Sequence, residues 1–363
     1  AILYPVPQHA IAKYGESWTN PDNFVCNGPF QPKDWTLNKQ SPGMNFSTNP
    51  TYHGRFSGNV NQAEVYFYGE YSEVSSVEMR KMRLQDFEHG RLDHLSLQGL
   101  DPAELRRARL LHQGNLVSLP LLSVGVLYFD TRHPPFNDVR IRRAFALATD
   151  RSTLANKALD GMHYPAGGGF IPPGMPGHVP NIALPFDPAQ ARHLLAEAGY
   201  IDGKTLPRLS FIAPFWAEWG KRQEAMLSRD WRSILKAEVT FDWLTYPETQ
   251  TRLENDIVHM RVAGWTADYP DPDNFLNTAV PRHEDGWHNA RYEQIIAAAR
   301  RQSNQEQRLQ LYREAEVILV DEVPILPLYY RRELVLAQPW LKNSPWDLLN
   351  GQLIWQDAII EPH

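Results

Sequence analysis

The sequence contains a single cysteine, Cys26, among 363 residues, so no internal disulfide can support its fold. No stretch of it approaches the roughly 20 apolar residues that a membrane-spanning helix needs. The net charge is −6, and Lys and Arg form no block. Because nucleic-acid affinity depends on clustered positive charges that displace counterions, we expect no nucleic-acid partner for this region. The first residues also lack the charged segment, apolar segment and cleavage site of a signal peptide.

The local motifs of common enzyme classes are missing as well. The sequence has no G-x-S-x-G elbow, no phosphate-binding P-loop and no G-x-G-x-x-G turn. His283 and His288 are five residues apart, whereas the two histidines of a zinc-binding helix are four apart. We identify no nucleophile paired with a base. The sequence therefore predicts a protein without catalytic residues, bound metal or cofactor.

What is present is typical of a folded protein with many loops. Apolar residues make up 42% of the chain and charged residues 21%, close to globular averages. The length favours two domains or one large one. The 29 prolines and 11 tryptophans indicate a loop-rich protein with an aromatic cavity.

Strands and helices alternate from Val124 onwards, which favours an α/β region with a largely parallel or mixed sheet. Residues 1–120 instead combine short strands with helices at 75–88 and after Asp101. Asp before Pro is a helix-start signal, because the Asp caps the first turn and the Pro needs no hydrogen-bond acceptor there. The predicted strands are VGVLYFD, LSFIAP, VTFDWL, VAGW and ILPLYY; the predicted helices follow Asn137 or Asp138, follow Asp187, and span 216–236, 289–301 and 304–321.

The segment 167–185 has no hydrophobic periodicity and is rich in Gly and Pro. Proline fixes φ and glycine admits positive φ, so we predict an ordered or semi-ordered loop. A loop of this length in a compact protein needs a function or a scaffold that holds it.

An acidic bend, residues 264–275 (GWTADYPDPDNF), directly follows a predicted strand. Ligands of α/β proteins bind at such strand ends, and a carboxylate there can accept hydrogen bonds from a cationic amine. Asp268 suits this role. The alternative is that Asp268, Asp271 and Asp273 only cap turns of the backbone. A calcium loop is disfavoured because the glycine and the distal Glu of an EF-hand are missing.

Several motifs in order along nearly the whole chain resemble the family 5 extracellular solute-binding proteins, the peptide, dipeptide and nickel binders of ABC importers. These motifs are VPQHAIAKYG, NGPF, LYFDTRHPPFNDVRIRRAFALATDR, FIPPGMPG, FDPAQARHLLAEAGY, GWTADYPDPDNF and VPILPLYYRRELVL. The resemblance implies an α/β, two-lobed periplasmic-binding-protein-like fold of type II, the peptide-binder class. It places 1–122 and 332–363 in lobe I and 123–331 in lobe II. Family members carry a further segment before VPQHAI, so the resemblance also implies a missing N-terminal segment of lobe I.

The resemblance implies capture of a peptide between the lobes by hinge closure. Asp268 would hold the peptide amino terminus and Trp265 would line the same cleft. Some family members carry Arg where this chain has Val262, and Arg261 stands beside it. The full set of candidate ligand-binding residues is Asp268, Trp265, Tyr269, Arg261 and Trp287.

The implied partners are a peptide or small-molecule ligand and an ABC permease, in a periplasmic or extracellular, membrane-associated setting. One alternative is the ligand-sensing domain of a transcriptional regulator, which would be cytoplasmic. Two further candidate ligands are an oligosaccharide, suggested by the tryptophans, and a nickel complex. A hydrolase would need the nucleophile and base that the sequence does not offer.

Overall fold

The computed structural model describes the chain except residues 1–5, 37–42, 68–75, 201–205, 215–216 and 281–285. His283 therefore lies outside the described residues. The chain divides into two compact units: Ala1–Leu119 with Glu333–His363, and Pro120–Arg332. No helix in the described ranges is long and apolar enough to cross a membrane.

The α-helices are α1 (Gln8–Tyr14), α2 (Ser76–Glu88), α3 (Pro102–Leu111), α4 (Val139–Leu147), α5 (Arg151–Thr153), α6 (Pro188–Glu197), α7 (Ala217–Leu235), α8 (Tyr246–Asn255), α9 (Ala290–Arg301) and α10 (Gln305–Glu322). The strands are β1 (Phe30–Thr36), β2 (Gly43–Thr48), β3 (Gln62–Tyr66), β4 (His94–Ser96), β5 (Leu116–Phe129), β6 (His163–Pro165), β7 (Leu209–Pro214), β8 (Val239–Leu244), β9 (Met260–Thr266), β10 (Ile325–Ala337), β11 (Leu341–Lys342) and β12 (Ile359–Ile360).

The first unit contains small antiparallel sheets. Strands β1, β2 and β3 form one sheet in that order. Strand β11 pairs with β12, and β4 pairs with the last residues of β10. The predicted last strand ended at Tyr330 and was too short. The strand continues to Ala337 because β4, distant in sequence, supplies hydrogen-bond partners for its end.

The second unit is built on a mixed sheet in the order β10, β5, β9, β7, β8, with β6 paired to β10. Strand β7 runs parallel to β8 and β9, whereas β5 and β9 are antiparallel, with Val124 opposite Trp265. Helices α4, α6 and α7 contribute apolar side chains to the core beside this sheet. Phe145, Phe211 and Trp231 are among the fully buried members. The mixed α/β sheet confirms the fold class predicted from the sequence.

The Asp caps explain where several helices begin. Asp101 accepts hydrogen bonds from the backbone N–H of Ala103 and Glu104 at the start of α3. Asp187 does the same for α6, and Asp138 caps α4 through Arg140 N–H. Each capped helix starts where the sequence predicted.

Two glycines lie opposite each other in the β5–β9 ladder. Gly125 pairs with Gly264. A Cβ at Gly125 would lie 2.3 Å from the ring of Tyr329 in β10, so the ring occupies the space that a side chain would need. At Gly264 the nearest atoms would be 3.4 Å or more away, which is ordinary contact. Only Gly125 is therefore fixed by packing.

We expect Gly125→Ala to lower the free energy of unfolding by about 1–3 kcal/mol, because the added methyl group forces the Tyr329 ring to move. Gly264→Ala, in the same ladder, is the matched control and should change it by less than about 0.5 kcal/mol. Urea unfolding followed by circular dichroism measures both. Equal effects of the two substitutions would contradict the packing argument.

The loop 167–185 is held by a buried carboxylate of α10. Glu316 is fully buried, and its Oε1 accepts the backbone N–H of Ile171 at 2.8 Å. Gly169 packs against this carboxylate so closely that a Cβ there would lie 2.3 Å from Oε1. The Tyr330 hydroxyl donates to the carbonyl of Gly169 at 2.8 Å. The loop thus has the scaffold that its composition requires.

Burial raises the pKa of Glu316 from 4.5 to about 7, although hydrogen bonds from the backbone of Ile171 and Phe170 and the charge of Arg313 act in the opposite direction. The folded state therefore holds this proton more tightly than the unfolded state does. The stability that Glu316 contributes is complete below pH 4.5 and is lost as the pH rises through 7.

We expect Glu316→Gln to remove this pH dependence, because Gln does not titrate. Between pH 4 and pH 8 the free energy of unfolding of wild type should fall by about 3 kcal/mol relative to the variant. Urea unfolding across this pH range measures the difference. Glu314→Gln, at an exposed position of the same helix, is the control and should follow wild type. A constant difference between wild type and Glu316→Gln would contradict the assignment.

Candidate ligand-binding site

The buried amide of Asn274 connects the end of β9 to the acidic bend. Asn274 is 1% exposed and lies in a π-helical segment, Asn274–Ala279. Its Oδ1 accepts the indole N–H of Trp265 at 2.8 Å and the backbone N–H of Asp268 at 3.1 Å. Its Nδ2 donates to Asp268 Oδ2 at 3.1 Å. Trp265 and Asp268, both predicted from the sequence, are therefore brought together by one side chain.

The three aspartates of the bend have different environments. Asp271 forms a two-pronged ion pair with Arg308 of α10, with both N–O distances 2.7 Å. Burial acts to raise the pKa of Asp271, but the hydrogen bonds from Arg308, the hydrogen bond from the backbone of Asp273 and the charge of Arg308 together outweigh it, and the pKa is lowered. Asp273 accepts the Tyr312 hydroxyl at 3.1 Å and lies 3.5 Å from Arg300 Nε. Asp271 and Asp273 are thus engaged within the protein.

Asp268 differs from the other two because it is exposed. In the described part of the chain, its carboxylate receives a side-chain hydrogen bond from Asn274. A carboxylate has four lone-pair positions, so this bond leaves acceptor capacity for another group. Tyr269, the next residue, is also exposed, at 44%. The turn-capping alternative therefore describes Asp271, whose Oδ1 accepts the backbone N–H of Asp273 at 2.9 Å, better than Asp268.

Arg261 lies near the other end of the paired segment of β5 and β9. Its guanidinium carbon lies 4.2 Å from the ring centroid of Tyr128, the residue directly opposite in β5. The Tyr128 hydroxyl in turn lies 3.4 Å from the carbonyl of Ala279. The ring of Tyr128 thus positions Arg261, which lies on the same strand as Trp265.

Trp287 has a different environment from the other predicted site residues. It is 4% exposed, packs edge-to-face on Tyr292 with centroids 5.1 Å apart, and donates its indole N–H to Glu322 Oε2 at 2.6 Å. A ring with so little exposed surface and its N–H already bonded offers no face to a solute. The expectation that Trp287 stacks on a ligand is therefore not supported by its packing, and we leave it out of the site.

Asn274 is the site residue that sequence reasoning missed. The only sequence signal that we identify for it is its position directly after three aspartates, and an Asn in such a position is typical of a turn. Its role depends on burial against Trp265, nine positions earlier, which no local pattern reveals.

A Ser–His pair in the same unit is used to join strands. Ser210 Oγ lies 2.9 Å from His259 Nδ1, which also accepts the backbone N–H of Ser210 at 3.1 Å. The backbone N–H of His259 donates to Ser210 Oγ at 3.1 Å. These reciprocal bonds connect β7 to the chain entering β9, at the opposite end of β9 from Asp268. Among the described residues, no group of three or more His, Cys, Asp or Glu could hold a metal ion.

Comparison with protein families gives one match that covers most of the chain. Residues 1–286 match the family described as bacterial extracellular solute-binding proteins, family 5. The probable deoxycholate-binding periplasmic protein YgiS of Escherichia coli K12 is 30% identical over 99% of this chain and 66% of its own length. The periplasmic oligopeptide-binding protein OppA of the same strain is 29% identical over 93% of this chain and 61% of its own length. The chain thus spans less than two thirds of either relative.

Solved structures with the same fold include peptide binders and a metal-complex binder. The murein tripeptide binding protein MppA, in an unliganded open form, has a TM-score of 0.77 at 22% identity, covering 99% of this chain and 68% of that one. OppA of Haemophilus influenzae in complex with RPPGFSPFR has a TM-score of 0.68 at 22% identity, covering 98% and 69%. NikA of Brucella suis with Fe(III)-EDTA has a TM-score of 0.74 at 20% identity, covering 92% and 68%.

We expect Asn274→Ala to lower the free energy of unfolding by about 1–3 kcal/mol, because it leaves the Trp265 indole N–H and the Asp268 backbone N–H without their acceptor. Urea unfolding followed by circular dichroism measures the loss. Thr278→Ala, at an exposed position of the same segment, is the control and should stay within about 0.5 kcal/mol of wild type. A loss no larger than that of the control would show that the amide does not support the bend.

Proposed function

This chain belongs to the bacterial extracellular solute-binding proteins of family 5, and we propose that it captures a peptide whose amino terminus binds Asp268. The observation that carries the proposal is that the acidic residues of the bend differ in their partners and in their exposure. Asp271 is paired with Arg308, whereas Asp268 is exposed and held by the uncharged amide of Asn274. A carboxylate that is oriented but has no charged partner in the described part of the chain is suited to an ammonium group.

Aromatic and apolar surface beside this carboxylate would complete the peptide site. Trp265 is fixed through its N–H, and the exposed ring of Tyr269 follows Asp268 directly. Rings held in this way supply contact area at little entropic cost, while the polar anchor sets the orientation of the peptide. Arg261 lies on β9, as Trp265 does, and adds a positive charge to that strand.

The relatives support a place for this protein in solute import. OppA is named for periplasmic oligopeptide binding and MppA for binding murein tripeptide. We propose that the protein acts in the periplasm or at the cell surface and delivers its ligand to an ABC permease. Two lobes, with residues 1–122 and 332–363 in one and 123–331 in the other, that close over the solute are part of this proposal.

A second candidate ligand is an amphipathic carboxylate of the deoxycholate type. The observation that favours it is the 30% identity to YgiS over 99% of this chain. Deoxycholate has no ammonium group, so its binding would not need Asp268. The two candidates therefore differ in their response to the same substitution.

We expect Asp268→Asn to weaken the binding of a peptide with a free amino terminus about tenfold. Because Asp268 is exposed, we expect the loss of binding free energy to be about 1.5 kcal/mol, the lower end for a hydrogen bond to a charged group. Isothermal titration calorimetry with alanine peptides of two to five residues measures the change. N-acetylated versions of the same peptides should bind wild type and variant equally.

The matched control is Asp321→Asn, which removes the same charge from an exposed position of α10. It should leave peptide affinity unchanged. Loss of affinity in the control alone, or unchanged affinity of free-amine peptides for Asp268→Asn, would end the assignment of Asp268. Binding of deoxycholate but of no peptide would favour the second candidate.

A further inference from the structure

The buried carboxylate of Glu316 supports a loop that packs on the acidic bend. Its Oε1 accepts the backbone N–H of Ile171 at 2.8 Å, and the whole residue is buried. In the described part of the chain, its other oxygen, Oε2, is buried and has no hydrogen-bond partner. Burying a charge is costly unless the charge is paired and hydrogen-bonded. This carboxyl group therefore fits its surroundings best when it carries a proton.

The loop 167–185 contacts the bend at two points. Phe170, directly before Ile171, packs edge-to-face on Phe275 with ring centroids 5.5 Å apart, and both rings are buried. Further along the loop, a Cβ at Gly177 would lie 3.4 Å from Pro272 Cγ, so the backbone of the loop lies directly on the bend there. A shift of the loop at Ile171 would therefore displace groups that contact the bend.

Phe275 directly follows the amide that holds the candidate site together. Asn274 accepts the indole N–H of Trp265 and donates to the carboxylate of Asp268. Because protein interiors are close-packed, the displacement of a buried ring is passed to its neighbours. The contacts therefore connect Glu316 to Asp268 without a break, and all of them lie within the second unit.

Several other charged or titratable side chains surround Glu316. Arg313, on the same helix, contributes a positive charge that favours the ionised form of Glu316. Tyr330 of β10 interacts electrostatically with Glu316 and with Arg151, which donates to two backbone carbonyls. In the loop itself, His178 Nδ1 lies 2.7 Å from the carbonyl oxygen of Ile171. Because histidine ordinarily titrates near neutral pH, His178 requires a control of its own.

We propose that Glu316 is a positioning residue for the ligand site: its protonated form holds the loop against the bend, and loss of the proton weakens binding at Asp268. This inference rests on the proposed function and adds a regulation to it. Burial raises the pKa of Glu316 to about 7, so the proton is lost, and affinity falls, as the pH rises through neutral. The linkage is reciprocal. Ligand binding should therefore make the protein take up part of a proton near pH 7.

The first test needs no ligand. The indole N–H of Trp265 reports on the bend because Asn274 accepts it. Its nitrogen–proton resonance, identified by its absence in Trp265→Phe, is followed from pH 5 to pH 8.5. We expect it to titrate with a midpoint near 7 in wild type, in Glu314→Gln and in His178→Gln, and to stay constant in Glu316→Gln. A resonance that does not respond to pH, or that still titrates in Glu316→Gln, overturns the inference.

A second variant separates the titration of Glu316 from its transmission to the bend. Phe170→Leu keeps the carboxyl group and removes the ring that contacts Phe275. We expect the pH-dependent shift of the Trp265 resonance to fall by at least half in this variant. Phe136→Leu, which replaces a buried ring elsewhere in the core of the second unit, is the control and should leave the shift unchanged. Circular dichroism establishes that both variants are folded. A shift of full size in folded Phe170→Leu would contradict the proposed connection.

The third test measures affinity. Alanine peptides of two to five residues are titrated calorimetrically into wild type and Glu316→Gln at pH 5.5, 7 and 8.5. The ratio of the two affinities removes the titration of the peptide itself. We expect the two proteins to bind within twofold of each other at pH 5.5, and the variant to bind about fivefold more tightly at pH 8.5. At pH 7, in buffers of different ionisation enthalpy, wild type should take up more protons on binding than the variant.

The outcomes separate this inference from the proposed function. If peptides bind and Asp268→Asn weakens them, but the ratio between wild type and Glu316→Gln is the same at every pH, the inference is overturned while the proposed function stands. If neither the peptides nor deoxycholate binds, the proposed function fails and the effect on affinity fails with it. The titration of Trp265 then still decides whether Glu316 positions the bend.

Discussion

The hydrogen bonds of one buried amide determine the geometry of the candidate site. Asn274 uses its carbonyl oxygen for two donors, the Trp265 indole and the Asp268 backbone, and its amino group for the Asp268 carboxylate. A carboxylate at position 274 could accept hydrogen bonds but could not donate one to Asp268. An apolar residue could neither accept nor donate. Because the amide is buried, leaving its own oxygen or nitrogen unpaired would cost more than the bond itself is worth. The strand end, the bend and the exposed carboxylate are consequently set by a single residue.

Charge in the bend is distributed so that one aspartate is left to face solvent. Arg308 neutralises Asp271 through two short hydrogen bonds, and Tyr312 and Arg300 satisfy Asp273. Without these partners from the neighbouring helices, three carboxylates within six residues would repel one another and raise one another's pKa. The helices α9 and α10 therefore act on the site through the partners that they supply to Asp271 and Asp273. Among the described residues, Asp268 therefore keeps a charge without a charged partner, whereas the other two aspartates are compensated.

Local features of this fold could be predicted from the sequence, and features that depend on distant packing could not. Asp101 and Asp187 start helices as predicted, because a cap acts on backbone groups within three residues of it. The bend after Trp265 was predicted for the same reason, since the motif is continuous. Trp287 was expected to face a ligand, but its burial depends on Glu322 and Tyr292, and no pattern around Trp287 indicates these contacts. The roles of Asn274 and of Gly125 likewise depend on rings that come from other segments.

The frame of the bend and its surface are separate sets of residues. Trp265 and Asn274 are held by hydrogen bonds inside the protein, whereas Tyr269 and Pro270 project from the bend with exposed side chains. A directed-evolution library confined to positions 269 and 270 would therefore vary the surface that the bend presents and leave its frame intact. The chain offers a place where new recognition can be engineered at little risk to folding.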